Sequence, residues 1–394
     1  NAMLFIFISG ILFLLLSTIP AGKDKVTGEN ISIREKIFEG IPKCVLQSIT
    51  VGIGLFITFI GFQNAKIITA NEFTLLSLVD FNTAEAWASG GPACHAIVAL
   101  FGLIVITVLS HYKVKGSVII GIISATLLSI PLGVTNLEIL KGNVPGISWN
   151  IWENFGNFFS MNPDEGGIFA SMLKGGLAMP KGSIMTCIMI VVSLALVDTF
   201  DTMGTIIGCC QNAGLMEKDG KPQRYKEIMY ADSIASLIGA FFGTSTVTAF
   251  VESGAGVAEG GKTGMTALVA AFLFLLSIFL LPLFAFIPSA AAASALIYVG
   301  VLMMKNVINI DFNNIKNAVP AFLTIIIMVL AYSITDGLAI GIISFVILDI
   351  IIYIIDFIKH KKNNKLEKPK LEINLITIIV LILFLIYFLV PTVI

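Results

Sequence analysis

From Ile373 to Ile394 the chain runs without a charged residue, and ten further apolar stretches precede that run. The candidate stretches are Met3–Ser17, Cys44–Phe62, His95–Ser110, Ser117–Val134, Ser183–Gly208, Ile228–Phe242, Met265–Phe284, Ala291–Met304, Val319–Ser333 and Gly337–Ile355. A helix crosses the roughly 30 Å hydrocarbon core of a bilayer with about 20 mostly apolar residues. So many stretches of that kind predict an all-α polytopic membrane protein. Composition agrees. The chain is 57% hydrophobic and 12% charged, with a mean hydropathy of +0.96, whereas soluble domains carry about 25% charged residues. The formal net charge of −1 excludes a basic nucleic-acid binder. The five cysteines show no CxxC spacing and the three histidines are well separated, so neither a disulfide framework nor a metal cluster is predicted.

Basic residues orient the segments, because Lys and Arg favour the cytoplasmic side. Lys23, Lys25, Arg34, Lys36 and Lys43 follow the first stretch, Lys218, Lys221, Arg224 and Lys226 lie before Glu227, and Lys359–Lys370 holds six lysines. Residues 135–182 carry only Lys141, Lys174 and Lys181, with Trp149 and Trp152 suited to an interface, and read as an external linker.

The sequence also repeats itself. Ile120–Ile130 (IGIISATLLSI) matches Ile340–Ile350 (IGIISFVILDI) at seven of eleven positions, and Ser9–Ser17 resembles Ala270–Ile278 in the same order. Duplicated halves, often inverted in the membrane, are common in secondary transporters. The second half has a block, Ser183–Gly264, with no counterpart upstream of Ser9. The repeat therefore leads us to expect that about three segments belong before this chain.

Gly243–Gly264, rich in Gly, Thr and Ser, is too polar for a simple span. Non-helical backbone at membrane depth is tolerated only inside protein or beside a cavity. Thr244–Thr248 favours a short extended piece, and a half-helix after it would present free N–H groups to a polar ligand. Carboxylates in such surroundings are costly and are functional candidates. Asp198 and Asp201 share a helix face at i, i+3 spacing, and two like charges there suit a proton carrier. Glu252 and Glu259 lie in the Gly/Thr stretch. Asp232 either holds the adjoining half-helix or caps its own helix. Phe200 and Phe250 flank the acids, and one of them could stack on a flat ligand. Gly256–Thr263 matches GxxxxGK[ST] formally, but a hydrophobic span follows at once and Glu259 falls in the would-be phosphate cradle, so nucleotide binding is rejected. Lys262 reads as a cytoplasmic-edge cation and Gly260–Gly261 as a tight turn.

VDTFDTMGTIIG followed by FFGTSTVTAFVESGAGVAEGGKTGMTALV resembles the AzgA-type branch of the nucleobase:cation symporter-2 family. FIPSAAAASALIYVGVLMM and PAFLTIIIMVLAYSITDGLAIGIIS look like that family's later helices. The resemblance implies a seven-plus-seven inverted-repeat transporter fold of core and gate domains, with short extended pieces in broken helices. It assigns 1–18 to the core as segment four, with the first three segments absent. It assigns 41–134 to the gate, 183–286 to the core as segments eight to eleven, 287–355 to the gate, and 371–394 to an additional C-terminal helix.

The same resemblance implies purine permeation (adenine, guanine or hypoxanthine) coupled to protons at the cell membrane, with no cofactor beyond the coupling ion. Nucleic acid is not an expected partner, and a homodimer through the gate is plausible. Carried over by motif, Glu252, Asp198, Thr248, Gly254 and Phe250 would bind substrate. Asp198 and Asp201 would couple the proton, and Asp232 and Glu259 would give structural support. Beside a structural or channel role, which saturable, proton-dependent uptake would exclude, two alternatives stay open at this point. One is a transporter of another nucleobase or a small anion on the same fold, although an anion site would favour a basic residue over Glu252. The other is an intramembrane aspartyl protease using Asp198 and Asp201, although the chain has no GxGD motif.

Overall fold

A computed structural model describes residues 2–23, 30–139, 152, 184–217, 220–250, 252–362 and 370–389. In chain order the elements are α1 (Ala2–Thr18), β1 (Pro20–Lys23), β2 (Asn30–Ser32), α2 (Ile33–Glu39), α3 (Lys43–Asn64), β3 (Ile68–Asn71), β4 (Leu75–Leu78), α4 (Pro92–His111) and α5 (Ser117–Ser129). There follow α6 (Ile184–Ala213), α7 (Tyr225–Phe241), α8 (Ser253–Ala258), α9 (Gly264–Phe279), α10 (Leu281–Ala285), α11 (Ser289–Met304), α12 (Ile315–Leu330), α13 (Ile334–Lys362) and α14 (Leu375–Leu389). Among the described residues, five stretches are long and apolar enough to cross a membrane: Lys43–Asn64, Pro92–His111, Ile190–Gln211, Ser289–Asn309 and Ile334–Lys361. Other expected stretches form shorter helices. Ser117–Val134 ends its helix at Ser129, ahead of Pro131 and of Gly133 at φ +68°. The expected external linker lies outside the described residues from residue 140 onward, apart from the exposed Trp152.

The chain forms two compact units. The first takes residues 1–53, 159–251 and 305–394, and the second takes 54–158 and 252–304. These units are drawn differently from the expected core and gate segments.

In the first unit, α6 is the central helix. Residues 202–208 are buried on every side, because α1 and α13 pack on it and α14 sends Phe384 to stack on Phe200 at 4.7 Å between centroids. A helix apolar nearly all round, as α6 is apart from its Asp/Thr positions and Ser193, Gln211 and Asn212, must be enclosed by other helices or lipid. The C-terminal run is thus a docked helix. Asp349 accepts the N–H groups of Glu372 and Ile373 at 3.0 and 3.2 Å. Lys316 bridges Asp349 and Glu372, and Thr377 donates to the Gly40 carbonyl at 2.7 Å. Fifteen residues of α14 span only about 22 Å at 1.5 Å per residue.

The second unit is built on α4, α5 and α11, with the β3–β4 hairpin in register Ile68↔Leu78 to Asn71↔Leu75. The internal repeat takes physical form as two helical hairpins, α4–α5 in the second unit and α12–α13 in the first. The matched glycines do the same job in each. A Cβ added at Gly121 would overlap Ile106, and one at Gly341 would overlap Thr324. Small residues let helix backbones approach closely where lipid supplies no hydrophobic drive.

Candidate functional site

The acidic helix α6 carries Asp198, Thr199, Asp201, Thr202 and Thr205 within two turns. Thr199 returns its hydroxyl to the Ala195 carbonyl at 2.8 Å, which leaves the carboxylates as the groups that must look outward. Three residues of a 3.6-residue turn separate two side chains by about 60°, and here that is enough to send the two acids to different neighbours. Asp198 faces α7, where Ser236 donates to its Oδ2 at 3.4 Å. Asp201 faces α13, where Thr335 donates to its Oδ1 at 3.2 Å. Asp198 is 1% exposed, and its Oδ1 has no hydrogen-bond partner among the described residues. Buried polar atoms are nearly always paired, so a carboxylate oxygen left open in the middle of a helical unit stands out.

Asp232 lies two turns into α7, so it caps nothing. Its partners among the described residues are Arg34 and Thr202. Arg34 Nη2 donates to Asp232 Oδ2 at 3.0 Å, and Thr202 donates to Asp232 Oδ1 at 2.9 Å. Arg34 Nη1 reaches Ser233 Oγ at 3.0 Å and the Met229 carbonyl at 3.3 Å, and the guanidinium lies 4.7 Å from the centroid of Phe13. This side chain is fully buried. Its helix α2 begins with a capping box, in which Ser32 and Glu35 exchange hydrogen bonds. That box fixes the start of the helix and so the direction in which Arg34 points. By sequence alone Arg34 is one of a cluster of basic residues on the cytoplasmic side. The burial had no sequence signal beyond the placement of an Arg inside a capped turn.

Ser236 is the second residue that the sequence did not single out. It is buried, one turn beyond Asp232 on the same face of α7. It accepts the Val247 N–H at 3.2 Å and lies 3.1 Å from the Val247 carbonyl oxygen. Residues 244–250 form neither helix nor strand, so their backbone groups need partners from elsewhere, and Ser236 supplies them at Val247. The available signal was the small-residue stripe Asp232, Ser236, Gly239, Ala240.

The remaining predicted residues are placed as follows. Thr248 is half-buried and Phe250 is 65% exposed, both in the first unit. Glu252, Gly254 and Glu259 belong to the second unit. Glu252 is exposed and stands just before α8, a helix of six residues. Gly254 is buried beside Val299 of α11. Glu259 is exposed and accepts from Ser117 Oγ at 3.3 Å. The nucleotide-loop lookalike is a turn: Gly261 N–H donates to the Gly256 carbonyl at 2.9 Å, Gly260 has φ +104°, Lys262 is exposed, and no strand occurs in 244–250. A cavity of about 520 Å³ in the first unit is lined by Lys43, Gln47, Gln211 and Asn309 among others, and by none of the predicted acids. Among the described residues, no group of three His, Cys, Asp or Glu side chains is arranged to hold a metal.

Asp198 thus keeps one carboxylate oxygen open, and its other oxygen has one long hydrogen bond. Asp232 is paired with Arg34 and Thr202. Asp198 and Asp201 do not face each other as a protease dyad would.

Comparison with known proteins places the chain. The permease family model Xan_ur_permease matches residues 2–340. The adenine permease AdeP of Escherichia coli is 36% identical over 319 residues, covering 81% of this chain and 64% of that protein. The guanine/hypoxanthine permease PbuO of Bacillus subtilis is 36% identical over 344 residues, covering 86% of this chain and 69% of that protein. The chain thus spans about two thirds of the length of these curated relatives. Among solved structures, the transmembrane domain of a cyanobacterium bicarbonate transporter BicA aligns with a TM-score of 0.49 at 15% identity, over 86% of this chain and 76% of that one.

Proposed function

The chain belongs to the permease family Xan_ur_permease, as a multi-pass membrane protein, and from that premise we propose that it serves proton-coupled uptake of purine nucleobases. The substrate class is supported by the relatives, which include an adenine permease and guanine/hypoxanthine permeases. The observation that carries the coupling is the open, buried Oδ1 of Asp198. A purine is flat and neutral, with several donors and acceptors. A carboxylate accepts its N–H groups, and backbone amides donate to its ring nitrogens and carbonyl oxygen.

In this reading Glu252 hydrogen-bonds the base, and Thr248, Phe250 and Gly254 line its site. Asp198, aided by Asp201, takes the coupling proton. The coupling ion is the only co-substrate. Movement of core against gate alternates access to the two sides.

The test is uptake by the full-length protein in cells lacking their own purine transport, at several external pH values. Adenine, guanine, hypoxanthine and uracil are the competitors. Saturable purine uptake that rises with external acidity is expected. Asp198→Asn should abolish the pH response and Glu252→Gln should lower affinity. Wild-type, pH-dependent transport in both variants would sink the assignments.

A further inference from the structure

Ser236 has one proton and two places to put it. Its Oγ accepts the Val247 N–H at 3.2 Å. Its O–H faces Asp198 Oδ2 at 3.4 Å and the Val247 carbonyl oxygen at 3.1 Å. A serine hydroxyl donates a single hydrogen and offers two acceptor lone pairs. Both acceptors are thus competing for one donor, and the Ser236 hydroxyl that must serve them is itself fully buried.

The charge on Asp198 decides the competition. Hydrogen bonds to an ionised acceptor are roughly twice as strong as neutral ones, and Asp198 has no other donor among the described residues. When Asp198 is ionised, the Ser236 hydrogen turns to it and the Val247 carbonyl goes without that donor. When Asp198 is protonated it becomes a donor itself. Its hydrogen can enter the second lone pair of Ser236 Oγ, and the Ser236 hydrogen turns to Val247. Val247 then holds α7 through both its N–H and its carbonyl.

The seat for this contact is built into α7. Gly239 lies one turn beyond Ser236, and a Cβ added there would overlap Val247 Cγ2 and stand 2.8 Å from Thr244 Oγ1. Residues 244–247 therefore lie directly on the helix. Thr248 and Phe250 follow immediately in the chain. The other charged groups around Asp198 are accounted for. Asp232 on α7 is paired with Arg34 of α2, Asp201 on α6 is bonded to Thr335 of α13 with Asp336 beside it, and α1 carries no ionisable side chain.

We propose that Ser236 is a positioning residue that couples the protonation of Asp198 to the seating of segment 244–250 on α7, tight when the acid is protonated and loose when it is ionised. The inference deepens the reading of Asp198 as the coupling acid and rests on it.

The test uses the full-length protein in proteoliposomes. Purine accumulation driven by a pH gradient is compared with counterflow exchange at equal pH. Ser236→Ala should keep counterflow within about twofold and lose roughly tenfold in gradient-driven accumulation, a size typical of coupling between sites. Ser236→Thr, which retains the hydroxyl, should restore the gradient response.

Hydrogen exchange over 244–250 gives a second readout without transport. Asp198→Asn, whose amide donates as a protonated acid would, should slow exchange relative to wild type at alkaline pH. Ser236→Ala should erase that difference. A normal gradient response in Ser236→Ala, equal loss of counterflow and gradient-driven uptake, or Ser236→Thr behaving like Ser236→Ala overturns the inference while Asp198 keeps its role. A wild-type gradient response in Asp198→Asn, or none in the wild type, overturns both readings.

Discussion

Asp198 and Asp232 are 1% and 8% exposed, whereas Glu252 and Glu259 stand open to the surroundings. Asp198 and Asp232 come from apolar runs, and Glu252 and Glu259 come from the Gly/Thr-rich stretch between two such runs. The structure sorts them by their partners. Asp232 is matched by a buried guanidinium and a hydroxyl. Asp198 is buried more deeply still, with one long hydrogen bond and one oxygen left open. Glu252 and Glu259 flank a six-residue helix in a glycine-rich stretch, exposed, with Glu259 accepting from Ser117. Burial alone does not make an acid functional. The informative contrast is between a buried acid that is paired and one that is not.

That contrast can be broken at its strongest point first. Removing one member of a buried ion pair strands the other, at a cost of about 3–5 kcal/mol. Arg34→Ala should therefore produce the largest loss of thermal stability in detergent. Arg34→Met combined with Asp232→Leu should recover most of it, since a well-packed apolar pair often matches a buried ion pair. Next comes the packing that closes the acidic helix. Phe384 is fully buried against Phe200, and Phe384→Ala should cost roughly 3 kcal/mol by opening a cavity, read in the same melting assay.

Asp198→Asn should separate function from stability. An unpaired buried carboxylate adds little to the fold, so the melting temperature should shift by less than about 1 kcal/mol equivalent while the pH response of uptake disappears. The smallest effects belong to the exposed acids. Glu252→Gln and Glu259→Gln should change stability by no more than about 0.5 kcal/mol, and only the former should change uptake. If either destabilised the protein as Arg34→Ala does, the division into buried and exposed acids would be wrong.

Much of the architecture was legible in the chain. The apolar runs became helices. The matched segments at Ile120 and Ile340 became the second helices of two hairpins, closed at the same glycine position. The reason is that helix periodicity and small-residue crossings are local properties. The polar partners were not legible. Arg34 stands 198 residues from Asp232, in a stretch that reads as a basic loop. The i, i+3 spacing of Asp198 and Asp201 suggested one shared site, but 60° of rotation was enough to give each a different helix as neighbour. Ser236 looked like any small residue in a crossing helix, and its importance depends on Val247 returning to lie over it.

The sequence by itself determined that the chain would be helical, that it would live in a membrane, and which few carboxylates would be expensive to keep there. Those follow from transfer free energies and backbone periodicity, which belong to residues in order. The tertiary structure decided which carboxylate is neutralised, which is left open, and which hydroxyl stands between the open one and the irregular segment. Those depend on hydrogen-bond distances between helices far apart in the chain, and such distances exist only once the helices have packed.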